Sequence, residues 1–181
     1  MENPPVIVSA PSRLHFGLFS IGQTIPRRYG GVGMMVQQPT TRIEVARHSD
    51  WSAEGPDSAW TLKLAKRWFD LYRPLLEHHD RQTRIKIKTQ SAGNRHVGLG
   101  SGTQHSMAIA TALFRLFELP LPPVSEMAQA MGRAGRSAIG SYGFRRGGFL
   151  IDRGMAEGDD IAPLDLQIEF PDEWPVLLVI P

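Results

Sequence analysis

The chain has 181 residues, of which 41% are hydrophobic and 21% charged, the balance of one ordinary globular domain. It contains no cysteine, which excludes disulfides, thiolate metal sites and cysteine nucleophiles. The net charge of +2 is too small to indicate nucleic-acid binding, and no apolar run approaches membrane-spanning length. We therefore expect a cytoplasmic protein that works on small molecules rather than on a membrane or a nucleic acid.

The first half of the chain alternates between strand-like and helical patterns. Alternating apolar and polar residues predict strands, and an apolar stripe with helical spacing predicts a helix that Pro74 kinks or ends. In chain order we predict strands at 6–10 and, after Pro11, at 14–19, a glycine-containing apolar segment at 31–36, a strand at 42–47, a polar loop at 49–57, a helix over 60–76 and a strand at 83–89.

A glycine-rich stretch at residues 97–104 leads directly into an apolar helical pattern. Glycines at alternate positions allow a ligand to approach the backbone, and the following helix directs free N–H groups and its positive dipole end to the same place. The sequence therefore predicts a phosphate or pyrophosphate site, although a tight strand-to-helix turn explains the same pattern. The stretch matches neither a Walker A loop nor the dinucleotide fingerprint. The predicted phosphate-binding residues are Gly98, Leu99, Gly100, Ser101, Gly102 and Thr103.

The second half begins with a helix to about Phe117 that is apolar on most sides, so we expect it in the core. Ser125 has the position of an N-cap for a helix that continues to about Arg133. The remaining predictions are a glycine- and arginine-rich segment at 132–148 and strands at 148–152 and 176–180, the last of which suggests a missing C-terminal partner.

Arginine supplies 16 of the 20 basic residues, and arginine suits forked recognition of phosphate or carboxylate. Two pairs of arginines, at 27–28 and 145–146, lie just before glycines. A genome-wide preference for arginine over lysine explains at least part of this pattern.

Three segments together resemble the GHMP kinase superfamily: Ala10–Gly17 with 28–31, the loop at 98–104, and the segment 135–152. The third segment is similar to β-ribofuranosylaminobenzene 5′-phosphate synthase, a non-kinase branch. The resemblance implies an α+β fold like ribosomal protein S5 domain 2, a mostly antiparallel sheet with helices on one face. It also implies condensation of phosphoribosyl pyrophosphate with p-aminobenzoate or p-hydroxybenzoate, releasing CO2 and pyrophosphate in the biosynthesis of methanopterin-type cofactors.

The sequence departs from the kinase pattern at 140–144, where many GHMP kinases carry an aspartate that activates the substrate hydroxyl and this chain has no carboxylate. That favours ribosyl transfer over an ATP-dependent kinase, which stays an alternative. The chain corresponds to a GHMP N-terminal domain over 1–181 with no C-terminal domain, so an inactive truncated domain is the other alternative. An RNA-binding module is less well supported, because no aromatic-basic pattern accompanies the arginines.

The site residues follow partly from their chemistry and partly from the resemblance. Arg13 and His15 are the predicted catalytic residues, although Arg13 could form a structural salt bridge and His15 could be a structural strand residue. Mg²⁺ is expected to arrive with the pyrophosphate substrate, with Asp152 as its one candidate ligand. A homodimer is possible on the face that an absent second domain would leave. The predicted substrate-binding residues are Arg28, Arg136, Arg145 and Arg146.

Overall fold

The computed structural model describes residues 4–19, 26–91, 97–133, 135 and 137–179. Its strands are β1 (Val6–Phe19), β2 (Gly30–His48), β3 (Ser52–Glu54), β4 (Arg84–Ser91), β5 (Phe149–Asp152) and β6 (Leu164–Ile168). Its helices are α1 (Ser58–Tyr72), α2 (Ser101–Leu116), α3 (Val124–Ala130) and α4 (Ile139–Arg146), with 3-10 turns at Arg73–Leu75 and Asp80–Gln82.

The six strands form one sheet organised around β2. The order is β3-β4-β2-β5-β6, and β1 pairs with β2 along most of its length. All pairs are antiparallel except the short β3–β4 pair. Helix α2 packs against β1, β2 and the three other helices. The expected α+β architecture, a mostly antiparallel sheet with helices on one face, is confirmed.

The core lies between the sheet and the helices. The predicted alternation in the strands is seen directly, since Ile85 and Ile87 are fully buried while Lys86 and Lys88 reach solvent. Helix α2 is buried over most of its length, which confirms the prediction from its apolar sequence. The largest core side chain, Trp68 of α1, packs against aromatic residues of α1, of α2 and of the turn after it: Phe69, Tyr72, Phe114 and Phe117.

Three expectations for the first half need correction. Pro11 does not separate two strands, because it falls at a register shift between Ala10 and Ser12, where its missing N–H costs no ladder hydrogen bond. The two segments predicted at 31–36 and 42–47 are one long strand, β2. The polar loop at 49–57 contains β3, while α1 ends before Pro74, as the proline predicts.

The second half also differs from the sequence-based expectations. Pro123, not Ser125, is the N-cap of α3, which ends about one turn earlier than predicted. The glycine- and arginine-rich segment contains α4, and β6 had no counterpart among the predicted strands. Residues 176–179 do not form a strand: Leu177 and Val179 are 88% and 85% exposed. Ile180 lies outside the described residues.

Candidate functional site

Arg13 lies under the glycine loop at the start of α2. The Arg13 backbone N–H donates to the Leu99 carbonyl at 2.8 Å. A Cβ atom at Gly100 would be 2.9 Å from Arg13 Nε, so the bare glycine makes room for the guanidinium. Nε is buried and has no hydrogen-bond partner among the described residues. Partial burial lowers the pKa of Arg13 below its ordinary value, and a partly buried cation of this kind is stabilised by an anionic partner.

The loop itself is open on the side away from Arg13. Gly98 and Gly100 have left-handed φ angles of 84° and 68°, which favour glycine. A Cβ at Gly98 would meet nothing within 4 Å. Gly100 is the N-cap of α2, and its carbonyl accepts the N–H groups of Thr103 and Gln104. The N–H groups of Ser101 and Gly102 lie earlier in the first turn of α2. N–H groups at this end of a helix have no intrahelical acceptor, and anions bind to them.

The first turn of α4 closes the site from the other side. Gln104 of α2 is 1% exposed and donates through Nε2 to the Gly140 carbonyl at 2.7 Å. A Cβ at Gly140 would lie 3.4 Å from Thr103 and 3.6 Å from Arg13 Cδ. Two helix N-termini therefore converge on Arg13, and both dipoles add to the positive potential around its guanidinium.

His15 lies two residues after Arg13, on the same face of β1. Its Nε2 is 3.0 Å from Ser137 Oγ, and its Nδ1 accepts the Gly17 N–H at 3.2 Å. Burial is the main cause that lowers the pKa of His15; Arg13 lowers it further, and the negative charge of Asp152 opposes both. His15 is therefore a neutral imidazole at physiological pH.

Asp152 is 3% exposed at the end of β5 and accepts hydrogen bonds on both oxygens. Oδ1 takes the N–H groups of Gly31 and Gly154 at 3.0 Å each. Oδ2 takes the Ser137 hydroxyl at 3.1 Å and the Ala138 N–H at 3.0 Å. Four protein donors occupy the carboxylate, so this geometry does not favour Mg²⁺ ligation by Asp152, which stays a prediction. Across the described ranges, no group of three or more potential metal-ligating side chains is found.

The three other predicted arginines that the structure describes contact other parts of the chain. Arg28 is exposed two residues before β2, where its backbone pairs with Met155. Arg145 and Arg146 are exposed at the far end of α4, roughly 10 Å along the helix axis from its first turn. Arg145 donates to the Pro122 carbonyl, and Arg146 lines a surface groove that contains none of the loop residues. Arg136 lies outside the described residues.

Three side chains near Arg13 had no assigned role in the sequence-based prediction. Arg133 donates to Ser106 Oγ at 3.0 Å, stacks over Trp60 and approaches Gly102. The other two are Gln104 and Ser137. Their position inside the family-like segments was the one sequence feature that could have identified them as site residues. Arg133 had no such feature beyond its residue type.

None of the helices in the described ranges is long and apolar enough to cross a membrane. Helix α2, the most buried, has 16 residues.

The fold places this chain in a defined structural class. The structure of 4-(cytidine 5′-diphospho)-2C-methyl-D-erythritol kinase superposes with a TM-score of 0.60, covering 91% of this chain and 56% of that chain at 18% identity. At that identity the likeness establishes the fold alone, the one shared by GHMP kinases.

Sequence comparison finds a matching family model and named relatives. Residues 63–144 match the family model "GHMP kinases N terminal domain". The chain is 32% identical to the β-ribofuranosylphenol 5′-phosphate synthase of Archaeoglobus fulgidus, over 94% of this chain and 56% of that protein. It is 29% identical to the enzyme of the same name from Methanocaldococcus jannaschii, over 97% of this chain and 60% of that protein. The chain is similar to the GHMP kinase superfamily, as the three motifs indicated, and spans less than two thirds of the length of these relatives.

Proposed function

We propose that this chain forms the phosphoribosyl pyrophosphate site of a β-ribofuranosylphenol 5′-phosphate synthase-like enzyme. The observation that carries the proposal is the half-buried Arg13 side chain. Its buried Nε has no acceptor among the described residues, and it lies where two helix N-termini meet. Such a position combines a fixed cation with free backbone donors, and it suits a multiply charged anion. The names of the curated relatives support the choice of that anion.

The reaction needs negative charge stabilised on one side of the ribose. The bond between ribose C1 and the pyrophosphate oxygen breaks, and its electron pair leaves with pyrophosphate. The ring carbon that carries the carboxylate then bonds to ribose C1, and loss of CO2 returns the carbon–carbon electron pair to the aromatic ring. Arg13 and the amides of the loop would hold the departing pyrophosphate, where charge develops.

The second substrate in this proposal is a para-substituted benzoate. The relatives are named for a ribofuranosylphenol, which favours p-hydroxybenzoate over p-aminobenzoate. Mg²⁺ would enter as the counter-ion of phosphoribosyl pyrophosphate, because the described residues supply no ligand cluster.

An ATP-dependent kinase is the alternative with less support. Residues 140–144 contain no carboxylate to activate a hydroxyl. An inactive domain is the remaining alternative, since the relatives that carry the synthase name are longer than this chain. We also propose that the protein is a homodimer, which sedimentation tests, and that it is cytoplasmic, which cell fractionation tests.

Isothermal titration of the chain with Mg²⁺–phosphoribosyl pyrophosphate and with Mg²⁺–ATP tests the site. We expect binding of the first and none of the second. The Arg13→Met variant should weaken binding about 10- to 100-fold, because it removes one or two charge-assisted hydrogen bonds to the ligand. Its matched control is Arg153→Met, which removes an arginine that is 59% exposed and paired with Asp165.

Catalysis is tested by pyrophosphate release with each benzoate, using the longer native protein where the gene encodes one. Tight ATP binding that Arg13→Met abolishes would instead support the kinase. Equal binding by Arg13→Met and Arg153→Met would remove the basis of the proposal.

A further inference from the structure

A continuous chain of hydrogen bonds runs from His15 through Ser137 to Asp152. It joins β1, the segment before α4 and the end of β5, residues that are 122 and 15 positions apart. Neither the kinase alternative nor the anion site described above involves this series of hydrogen bonds. Its members are partly or fully buried, and His15 is close enough to Arg13 for that cation to lower the His15 pKa.

The partners of each group determine the direction of every bond. The Gly17 N–H donates to Nδ1 of His15, so Nδ1 carries the lone pair and the ring proton of the neutral imidazole is on Nε2. Nε2–H then donates to Ser137 Oγ. Ser137 has one hydroxyl proton, which goes to Asp152 Oδ2, because an ionised carboxylate is an acceptor only. The pattern is consistent at each step and assigns one tautomer to His15.

The carboxylate at the end of the chain is itself held rigidly. Three backbone N–H groups fix Asp152: Gly31 of β2, Gly154 in the segment after β5, and Ala138 at the N-cap of α4. A Cβ at Gly31 would come within 2.9 Å of Asp152 Oδ2, 2.9 Å of Ser137 Oγ and 3.3 Å of His15 Nε2. The three groups therefore meet directly over a glycine, in a space that any side chain at position 31 would fill.

We infer that Ser137 and Asp152 are positioning residues that hold His15 as the neutral Nε2–H tautomer, in one orientation, as a wall of the site beside Arg13. This inference rests on the proposed function for the identity of the ligand. Because His15 stays uncharged, Arg13 and the loop amides alone match the charge of the anion. Because its ring is held before the ligand arrives, binding costs less ordering of side chains.

Imidazole ¹⁵N resonances of the chain test the tautomer without any ligand. Wild type should show His15 with a protonated Nε2 and an unprotonated Nδ1. Ser137→Ala removes the only acceptor that the described residues give Nε2–H, so we expect a tautomer mixture. Ser137→Thr keeps the hydroxyl and should restore the single tautomer, and Ser49→Ala, an exposed serine, should leave it unchanged. A protonated Nδ1 in wild type, or an unaltered tautomer in Ser137→Ala, would overturn the inference.

Asp152→Asn supplies a second, electrostatic readout. The negative charge of Asp152 raises the pKa of His15, so its removal should lower that pKa further, whereas loss of packing alone would expose the ring and move the pKa back toward its ordinary value. Asp165→Asn, which neutralises an exposed carboxylate, is the matched control. A rise of the His15 pKa in Asp152→Asn would argue against the positioning role.

Titration of Mg²⁺–phosphoribosyl pyrophosphate links the network to the ligand. Ser137→Ala should weaken binding about tenfold. This is the lower end of the loss seen at metal sites when a residue that hydrogen-bonds to a ligating side chain is removed. Ser137→Thr should bind within about twofold of wild type. Equal affinity in all three proteins would refute positioning. Absence of binding to wild type would instead refute the proposed function, while the tautomer measurement still decides the arrangement of His15.

Discussion

Two buried regions of this molecule are built in opposite ways. Around Trp68, aromatic rings from α1, α2 and the turn after α2 fill the space, and packing stabilises the fold. Around Arg13, glycines leave space that polar groups occupy, and most of those groups are satisfied by hydrogen bonds. Arg13 Nε and Gln104 Oε1 are exceptions, buried without partners among the described residues. The aromatic region therefore stabilises the fold by packing, whereas the region around Arg13 keeps polar atoms that a ligand could satisfy.

The largest effect should come from the aromatic region. Trp68→Ala removes a fully buried indole and should lower the free energy of unfolding by about 3–5 kcal/mol, measured by urea denaturation. Trp174→Ala is the control, because that indole is 64% exposed and should cost under about 1 kcal/mol. Similar losses in the two variants would contradict the packing we describe.

The polar region should respond to a single added methyl group. Gly31→Ala places a Cβ against Asp152, Ser137 and His15, and should cost about 1–3 kcal/mol through displaced hydrogen bonds. Gly30→Ala places the same group no closer than 3.5 Å to any neighbour and should cost less. Chemical denaturation of both variants measures the difference, and a larger loss in Gly30→Ala would be the adverse result.

A smaller effect on stability, with a larger one on binding, is expected at the loop. Gly100 and Gly158 both have positive φ, so alanine at either position costs about 1 kcal/mol of backbone strain. Only alanine at 100 also meets Arg13, whereas a Cβ at 158 has open space. Gly100→Ala should therefore weaken phosphoribosyl pyrophosphate binding in calorimetry while Gly158→Ala retains it. Wild-type affinity in Gly100→Ala would separate Arg13 from the ligand.

The smallest expected effect is a dependence of stability on pH. The pKa of His15 is lower in the folded chain than its ordinary value of 6.5, so the unfolded chain binds more protons below pH 6.5. The stabilisation is complete above pH 6.5 and is lost as pH falls through the folded-state pKa. Arg13 and Asp152, the charged groups that face the ring, act in opposite directions. His15→Gln should flatten the fall in unfolding free energy between pH 7.5 and 5.5, and an unchanged slope would assign the fall to other groups.

The apolar patterns predicted most of the elements correctly, because burial of one face imposes a period that the sequence records. The alternation at 83–89 and the apolar helix after the loop are examples. The errors lie where local signals compete with tertiary contacts. Pro11 indicated a break, but the register shift beside it accommodates the ring. Helix α4 was missed because two glycines and two arginines obscure its short apolar face.

The sequence by itself determined the likeness to the GHMP kinase superfamily, the α+β class and the loop that precedes α2, because motif residues and hydrophobic period are local properties of the chain. Only the tertiary structure decided what surrounds Arg13 and what Asp152 does. Contacts from β1 to the segment before α4, and from β2 to β5, join residues more than 100 positions apart, and no local pattern encodes the hydrogen bonds that they make. Asp152, which the sequence offers as a candidate Mg²⁺ ligand, accepts hydrogen bonds from four protein donors in the folded chain.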